Sequence, residues 1–193
     1  MVINKTIFTL LTIYLCALFA SNTLGMKTMP FLFDTHLSVA IFFFPIVFLM
    51  TDIVGEVFGK PVSKMFFRMG LLATILQLAF TLVSNLVPAS EHFTYLASYS
   101  DVFSLSFRFA IASVIAFLIG EFQDVISFMY LKAKLAGRFF ILRSFLSNLW
   151  GQLLDTAIWM TIAFAGVYSP SVILKMAIPW FGFKVLMGLA YSP

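Results

Sequence analysis

The chain has 193 residues, 62% of them hydrophobic and 10% charged, with a mean hydropathy of +1.04. A soluble domain is roughly 25% charged, so these values exclude an ordinary water-soluble globule and point to a protein dissolved in lipid. The net charge of +4 needs no nucleic-acid partner because its distribution along the chain accounts for it, and the single cysteine, Cys16, excludes an internal disulfide and leaves a metal site built on thiols without ligands.

A bilayer crossing takes about 20 apolar residues, and the apolar runs predict six crossings in one domain, residues 1–193. The first covers about 6–24. It follows Lys5 as a signal peptide would, but it is long enough to span and no small-x-small cleavage site follows, so it reads as a retained helix. Ile13-Tyr14-Leu15 lacks the small residues of a lipoprotein box, which makes Cys16 a packing residue. A short loop with Lys27, Pro30 and Asp34 leads to the second crossing, about 37–57. Pro45 lies in its first half and is expected to bend or break it. Asp52 and Glu56 follow one turn apart on one face, and Gly55 and Gly59 form a small G-x-x-x-G.

Lys60, Lys64 and Arg68 make a basic loop before the third crossing, about 66–87, which is almost featureless apart from Gln77 and Asn85 and reads as structural. The segment Pro88–Ser106 is the longest loop, a surface segment or cap carrying Glu91, His92, Tyr95, Tyr99 and Asp101. His36 and His92 are isolated and suggest no metal site. The fourth crossing covers about 107–131 and a second basic loop holds Lys132, Lys134, Arg138 and Arg143. The fifth covers about 146–167, Tyr168-Ser169-Pro170 turns, and the sixth covers about 172–190 with Lys175 and Lys184 in or near it. The chain ends on Tyr191-Ser192-Pro193 without a polar tail, which suggests that natural residues follow. The fold class is therefore all-α, a polytopic bundle of six transmembrane helices. Eight basic residues fall on the side of the N-terminus and the second and fourth loops, against Lys27, Arg108 and Lys175 opposite. The positive-inside rule then places both termini in the cytoplasm.

The stretch Arg143–Phe164 is apolar enough to cross a bilayer, yet carries Asn148, Gln152, Asp155 and Trp159 at steps of four, three and four residues, one face of a helix. Ser113–Phe128 repeats the theme. Aligning Asp124 with Asp155 sets Gly120-Glu121 on Gly151-Gln152 and Phe128 on Trp159. Five acids thus lie in or at the ends of crossings: Asp52, Glu56, Glu121, Asp124 and Asp155. An acid inside a span points to function by default, because lipid gives its charge no water. Together they suggest a polar chamber between the second, fourth and fifth crossings, with Lys60 and Arg143 as salt-bridge partners. Two readings stand for several of these residues. Asp52, Glu56 and Glu121 also suit anchors at helix ends, Asn148 and Gln152 suit interhelical hydrogen-bond glue, and Trp159 and Phe128 suit core or lipid contacts as well as ligand stacking. Lys184 sits near mid-span, where snorkelling is hard and a partner is expected.

No phosphate loop, H-E-x-x-H, C-x-x-C or G-x-S-x-G is present in the sequence. A polar-lined bundle without an activated nucleophile fits a transporter, not an enzyme, and calls for no cofactor.

The ordered set Ala20-Ser21-Asn22…Lys27, Phe44-Pro45…Asp52-x-x-x-Glu56-x-x-Gly59-Lys60, Gln123-Asp124, Leu142-Arg143-x-x-x-Ser147…Gln152-x-x-Asp155 and Lys184 resembles the queuosine precursor transporter family, also called the vitamin uptake transporter family. The likeness covers nearly the whole chain; Ser21 and the terminal Ser192-Pro193 depart from the pattern. It implies a six-span, multi-pass protein of the cell inner membrane that imports 7-deazaguanines (preQ0, preQ1 and, in some members, queuine) for tRNA modification. The partners implied are a nucleobase-like small molecule and the lipid bilayer; a homo-oligomer is compatible. Such a base offers N–H donors beside a carbonyl. Asp155 or Asp124 can accept two donors in a fork, Asn148, Gln152 or Asn22 can supply amide contacts, Trp159, Phe128 or another aromatic can stack, and the acidic set, Glu121 included, can hold the aminomethyl cation of preQ1. Asp52, Glu56, Lys27, Arg143 and Lys184 are candidates for transport or coupling. A secondary importer is the first expectation. A substrate-capture subunit of an energy-coupled transporter is the second, and an assembly protein the third.

Overall fold

The computed structural model describes residues 5–32, 35–134 and 140–191. Within them, side chains are described except at 60, 120–122, 124, 125, 128, 129, 131–133, 140–145, 147, 148 and 187–191. The elements in chain order are α1 (Lys5–Leu24), β1 (Thr28–Phe31), β2 (Thr35–Ser38), a 3-10 turn (Val39–Phe42), α2 (Phe44–Phe58), α3 (Lys60–Leu86), α4 (Leu96–Lys134), α5 (Phe140–Phe164) and α6 (Pro170–Tyr191). The protein is an all-α polytopic membrane protein. Among the described residues, Lys5–Leu24, Val39–Phe58, Pro61–Leu86 and Leu96–Ile119 are long and apolar enough to cross a bilayer. With 25 and 22 residues, α5 and α6 also have the length of a crossing.

The chain divides into two compact units, Met1–Ile111 and Ala112–Ser192. In the first, α1, α2 and α3 pack on a core of Tyr14, Ala17, Val47, Met50, Val54 and Phe66. The rings of Tyr14 and Phe66 meet at 5.7 Å and 53°. This contact needs a glycine on α3. A Cβ at Gly70 would overlap the Tyr14 hydroxyl and lie 2.9 Å from Cε1 of the same ring, closer than carbon atoms pack. In the second unit α5 and α6 run antiparallel, joined by a turn at Gly166, with Ala163, Phe164, Met160, Met176 and Trp180 buried.

Several expectations are corrected here. Residues 25–38 are not a plain loop: β1 and β2 pair antiparallel, Thr28 with Ser38 and Phe31 with Thr35. The ribbon is tied to the end of α1, where the buried Ser38 hydroxyl donates to the Gly25 carbonyl and accepts from the Ala40 N–H. Pro45 does not bend a helix; it lies in the first turn of α2, where its missing N–H leaves no ladder bond unmade. Lys60, Lys64 and Arg68 do not form a loop. Only Gly59, at φ +85°, separates α2 from α3, and Pro61 starts the new helix. The helix α3 therefore begins six residues before the expected start at 66. The long loop shrinks because α4 begins at Leu96, so Tyr99 and Asp101 are helical. Pro170 starts α6, with Ser169 just before it, and the tight turn lies at Gly166 and Val167. Cys16 is exposed on α1 rather than packed.

Candidate functional site

The second unit brings three of the expected residues together. On α5, Asp155 lies one turn before Trp159; on α6, Trp180 lies one turn before Lys184. The antiparallel pairing sets Asp155 against Lys184 and Trp159 against Trp180. The Lys184 Nζ donates to the Asp155 carboxylate in a close ion pair, with side-chain exposures of 4% for the lysine and 31% for the aspartate. The lysine is thus sealed and the carboxylate partly open, which leaves acceptor capacity on Asp155 for a further donor. A charge in hydrocarbon costs several kcal/mol, of order 2.5–3.5 on insertion scales. The pair offsets that cost for both members, and it provides the partner that a mid-span Lys184 requires.

The indoles of Trp159 and Trp180 lie nearly parallel, at 13° with centroids 6.4 Å apart. Trp159 is held from two further sides. Its Nε1–H donates to Ser113 Oγ of α4 at 3.0 Å, and Phe164 meets it edge-on at 5.8 Å. The ring is therefore fixed rather than free to swing with lipid.

In the same unit, polar atoms are buried without hydrogen-bond partners among the described residues: Gln152 Oε1 and Thr156 Oγ1 on α5, and Gln123 Oε1 on α4. Gln123 donates through Nε2 to Ser127 of its own helix. Buried acceptors are normally satisfied. Three left open in the unit that holds the ion pair and the fixed aromatic pair suit a polar ligand or ordered water.

The other expected residues belong to the first unit or have side chains outside the described residues. Asn22, 2% exposed, belongs to the first unit. Its Nδ2 donates to Gln77 Oε1 of α3 at 3.4 Å, and its backbone carbonyl accepts from Ser106 Oγ of α4 at 3.4 Å. Gln77, read from sequence as structural, is thus the polar partner of a residue read as ligand-binding. Asp52, Glu56 and Lys27 are exposed. Asp124, Glu121, Phe128, Asn148 and Arg143 lie on α4 and α5 with side chains outside the described residues. Sequence reasoning passed over Thr156 and Trp180. Thr156 shares the Gln152–Trp159 face, and its spacing could have signalled it. Trp180 stands four residues before Lys184 and is as readable in the same way.

This constellation accompanies a clear family match. The family model described as "Putative vitamin uptake transporter" matches residues 38–193. The chain belongs to the vitamin uptake transporter family. Among curated proteins, it is similar to the "Probable queuosine precursor transporter" of Bacillus subtilis (strain 168), 28% identical over 150 residues that make up 76% of this chain and 65% of that protein. It is also similar to the "Queuosine precursor transporter" of Escherichia coli (strain K12), 26% identical over 191 residues, 97% of this chain and 83% of that protein. The matched region thus spans just under two thirds of the first relative. No solved structure matches the chain. As a family member, the chain is a multi-pass membrane protein of a transporter family, and the match takes in α2 to α6, including the Asp155–Lys184 centre.

Proposed function

We propose that the protein is a non-enzymatic inner-membrane importer of queuosine precursors, 7-deazaguanine bases such as preQ0 and preQ1, and that Asp155 and Lys184 form the centre of its binding site. The names of both relatives support the substrate class. The observation that carries the site is the Asp155–Lys184 pair, its lysine buried and its carboxylate partly open, with the parallel indoles of Trp159 and Trp180 one turn away.

The chemistry of a deazaguanine matches this centre group by group. The pyrimidinone edge of the base presents a carbonyl beside a ring N–H and an amino group. The Asp155 carboxylate accepts the two N–H donors in a fork, and Lys184 donates to the carbonyl while keeping its contact with the aspartate. An indole face from the Trp159–Trp180 pair lies against the flat ring. Asp124, Asn148 and Glu121 remain candidates for further polar contacts. Asp52, Glu56, Lys27 and Arg143 remain candidates for coupling. Secondary transport is the reading adopted, with the pair changing its contacts as substrate arrives and leaves.

The test is uptake of radiolabelled preQ0 and preQ1 by purified protein in liposomes, with no ATPase component added. Wild type should accumulate substrate; Asp155→Asn should reach the membrane in equal amount and lose uptake. Unchanged uptake in Asp155→Asn removes the residue from the site. Uptake that requires added ATPase components turns the reading to a capture subunit.

A further inference from the structure

We infer that Thr156, together with the side-chain oxygen of Gln152, forms a second hydrogen-bonding subsite on α5 that accepts an N–H donor of the substrate; this rests on the binding site proposed above. The hydroxyl of Thr156 departs from the pattern that several helical hydroxyls of this chain follow. Serines and threonines inside helices commonly bond the carbonyl four residues back. Here Thr9, Thr12, Ser21, Thr23 and Thr74 all do so, to Lys5, Phe8, Ala17, Phe19 and Gly70, at 2.7–3.1 Å. Thr156 does not. It is 2% exposed, yet its Oγ1 has no partner among the described residues, not even the Gln152 carbonyl of its own helix.

A threonine in a helix divides its rotamers between one that makes this bond and one that turns the hydroxyl outward. Thr156 therefore gives up a local bond that was open to it and directs a polar atom into a buried place. Gln152 does the same one turn earlier, with Oε1 buried and unpartnered. Residues four apart lie about 5–6 Å from each other on one helix face. Asp155 lies three residues after Gln152, and Trp159 three after Thr156, spacings that make neighbours on a helix, so the two open oxygens share the face of α5 that carries the carboxylate and the indole. The amide oxygen only accepts; the hydroxyl accepts or donates. Two oxygens at this spacing suit an N–H group of a flat heterocycle that Asp155 does not already hold, either a ring N–H or a primary amine carried on the ring. They specify the ligand against analogues whose corresponding atom has no hydrogen.

The experiment is a comparison of wild type, Thr156→Val and Thr156→Ser as purified full chains, with melting temperature measured without ligand and affinity for preQ0 and preQ1 measured by calorimetry. Valine keeps the shape and removes the hydroxyl. Without ligand, Thr156→Val should melt at or above the wild-type temperature, because an unsatisfied buried hydroxyl is lost. Its affinity for the better-bound base should fall about tenfold, the value of one hydrogen bond, while Thr156→Ser stays near wild type. A lower melting temperature or failure to fold for Thr156→Val assigns the hydroxyl a structural partner and overturns the inference. Wild-type affinity in Thr156→Val also overturns it and leaves the Asp155–Lys184 reading standing. A wild-type protein that binds neither base overturns that reading, and this inference with it.

Discussion

The described polar side chains of the two units are buried in different ways. In the first, Asn22 is matched by Gln77, Ser106 by a main-chain carbonyl, and Ser38 by Gly25 and Ala40. Each of these bonds joins one element to another, and each group is neutral. In the second, beside the neutral bonds of Trp159 to Ser113 and Gln123 to Ser127, the described polar groups include a charge pair, Asp155 with Lys184, and oxygens without a partner among the described residues at Gln123, Gln152 and Thr156. The contrast separates two uses of polarity in lipid. A matched neutral pair holds helices together and asks nothing of a ligand. An ion pair with open acceptors beside it costs free energy when empty and lowers that cost when a donor-rich molecule enters.

The largest effect should come from splitting the ion pair. Asp155→Leu strips the carboxylate from Lys184, the more buried member, and should cost about 3–5 kcal/mol of stability, read as a fall in melting temperature in detergent. Adding Lys184→Met should recover most of that stability and none of the binding. A double variant no more stable than the single one would show that the pair is not the unit described here. Next comes a packing change in the other unit. Gly70→Leu would drive a side chain into the Tyr14 ring and should cost about 1–3 kcal/mol, with ligand affinity per folded molecule unchanged.

A smaller loss should follow Gln77→Leu, which leaves the buried Asn22 amide short of its partner. Interhelical hydrogen bonds in membranes average about 0.6 kcal/mol, so the melting temperature should fall slightly and affinity should hold. Loss of affinity in Gln77→Leu would bring Asn22 back as a ligand contact and blur the contrast between the units. An effect of similar size should come from Ser113→Ala, which frees one bond on Trp159. Binding should weaken by about 2–5-fold, in line with roughly 0.5–1 kcal/mol for a neutral hydrogen bond.

Much of this arrangement is legible in the sequence, and the rest fails for identifiable reasons. The face of Gln152, Asp155 and Trp159 follows from helical period alone, and a lysine at mid-span announces that it needs a partner. Which partner it takes does not follow, because the pairing of Asp155 with Lys184 depends on the register of two helices and not on spacing within one. Gln77 looked structural because a lone glutamine in an apolar run carries no pattern; its bond to Asn22 links residues 55 positions apart. Pro45 was ambiguous by nature, since proline breaks a helix interior and starts a helix equally well, and only the chain preceding it decides. The ribbon of β1 and β2 is short, and Pro30 within it argues against a strand. Thr156 is a common residue in a common place. Only the direction of its hydroxyl distinguishes it, and sequence does not record direction.

The central claim is that the Asp155–Lys184 pair receives a deazaguanine base. Calorimetric titration of preQ0 and preQ1 into the purified wild-type protein and Asp155→Asn tests it most directly. The account predicts saturable binding to wild type and at least a tenfold weaker affinity in Asp155→Asn, the loss of a charge-assisted hydrogen bond of about 1.5–3 kcal/mol. Equal affinities in the two proteins would contradict it.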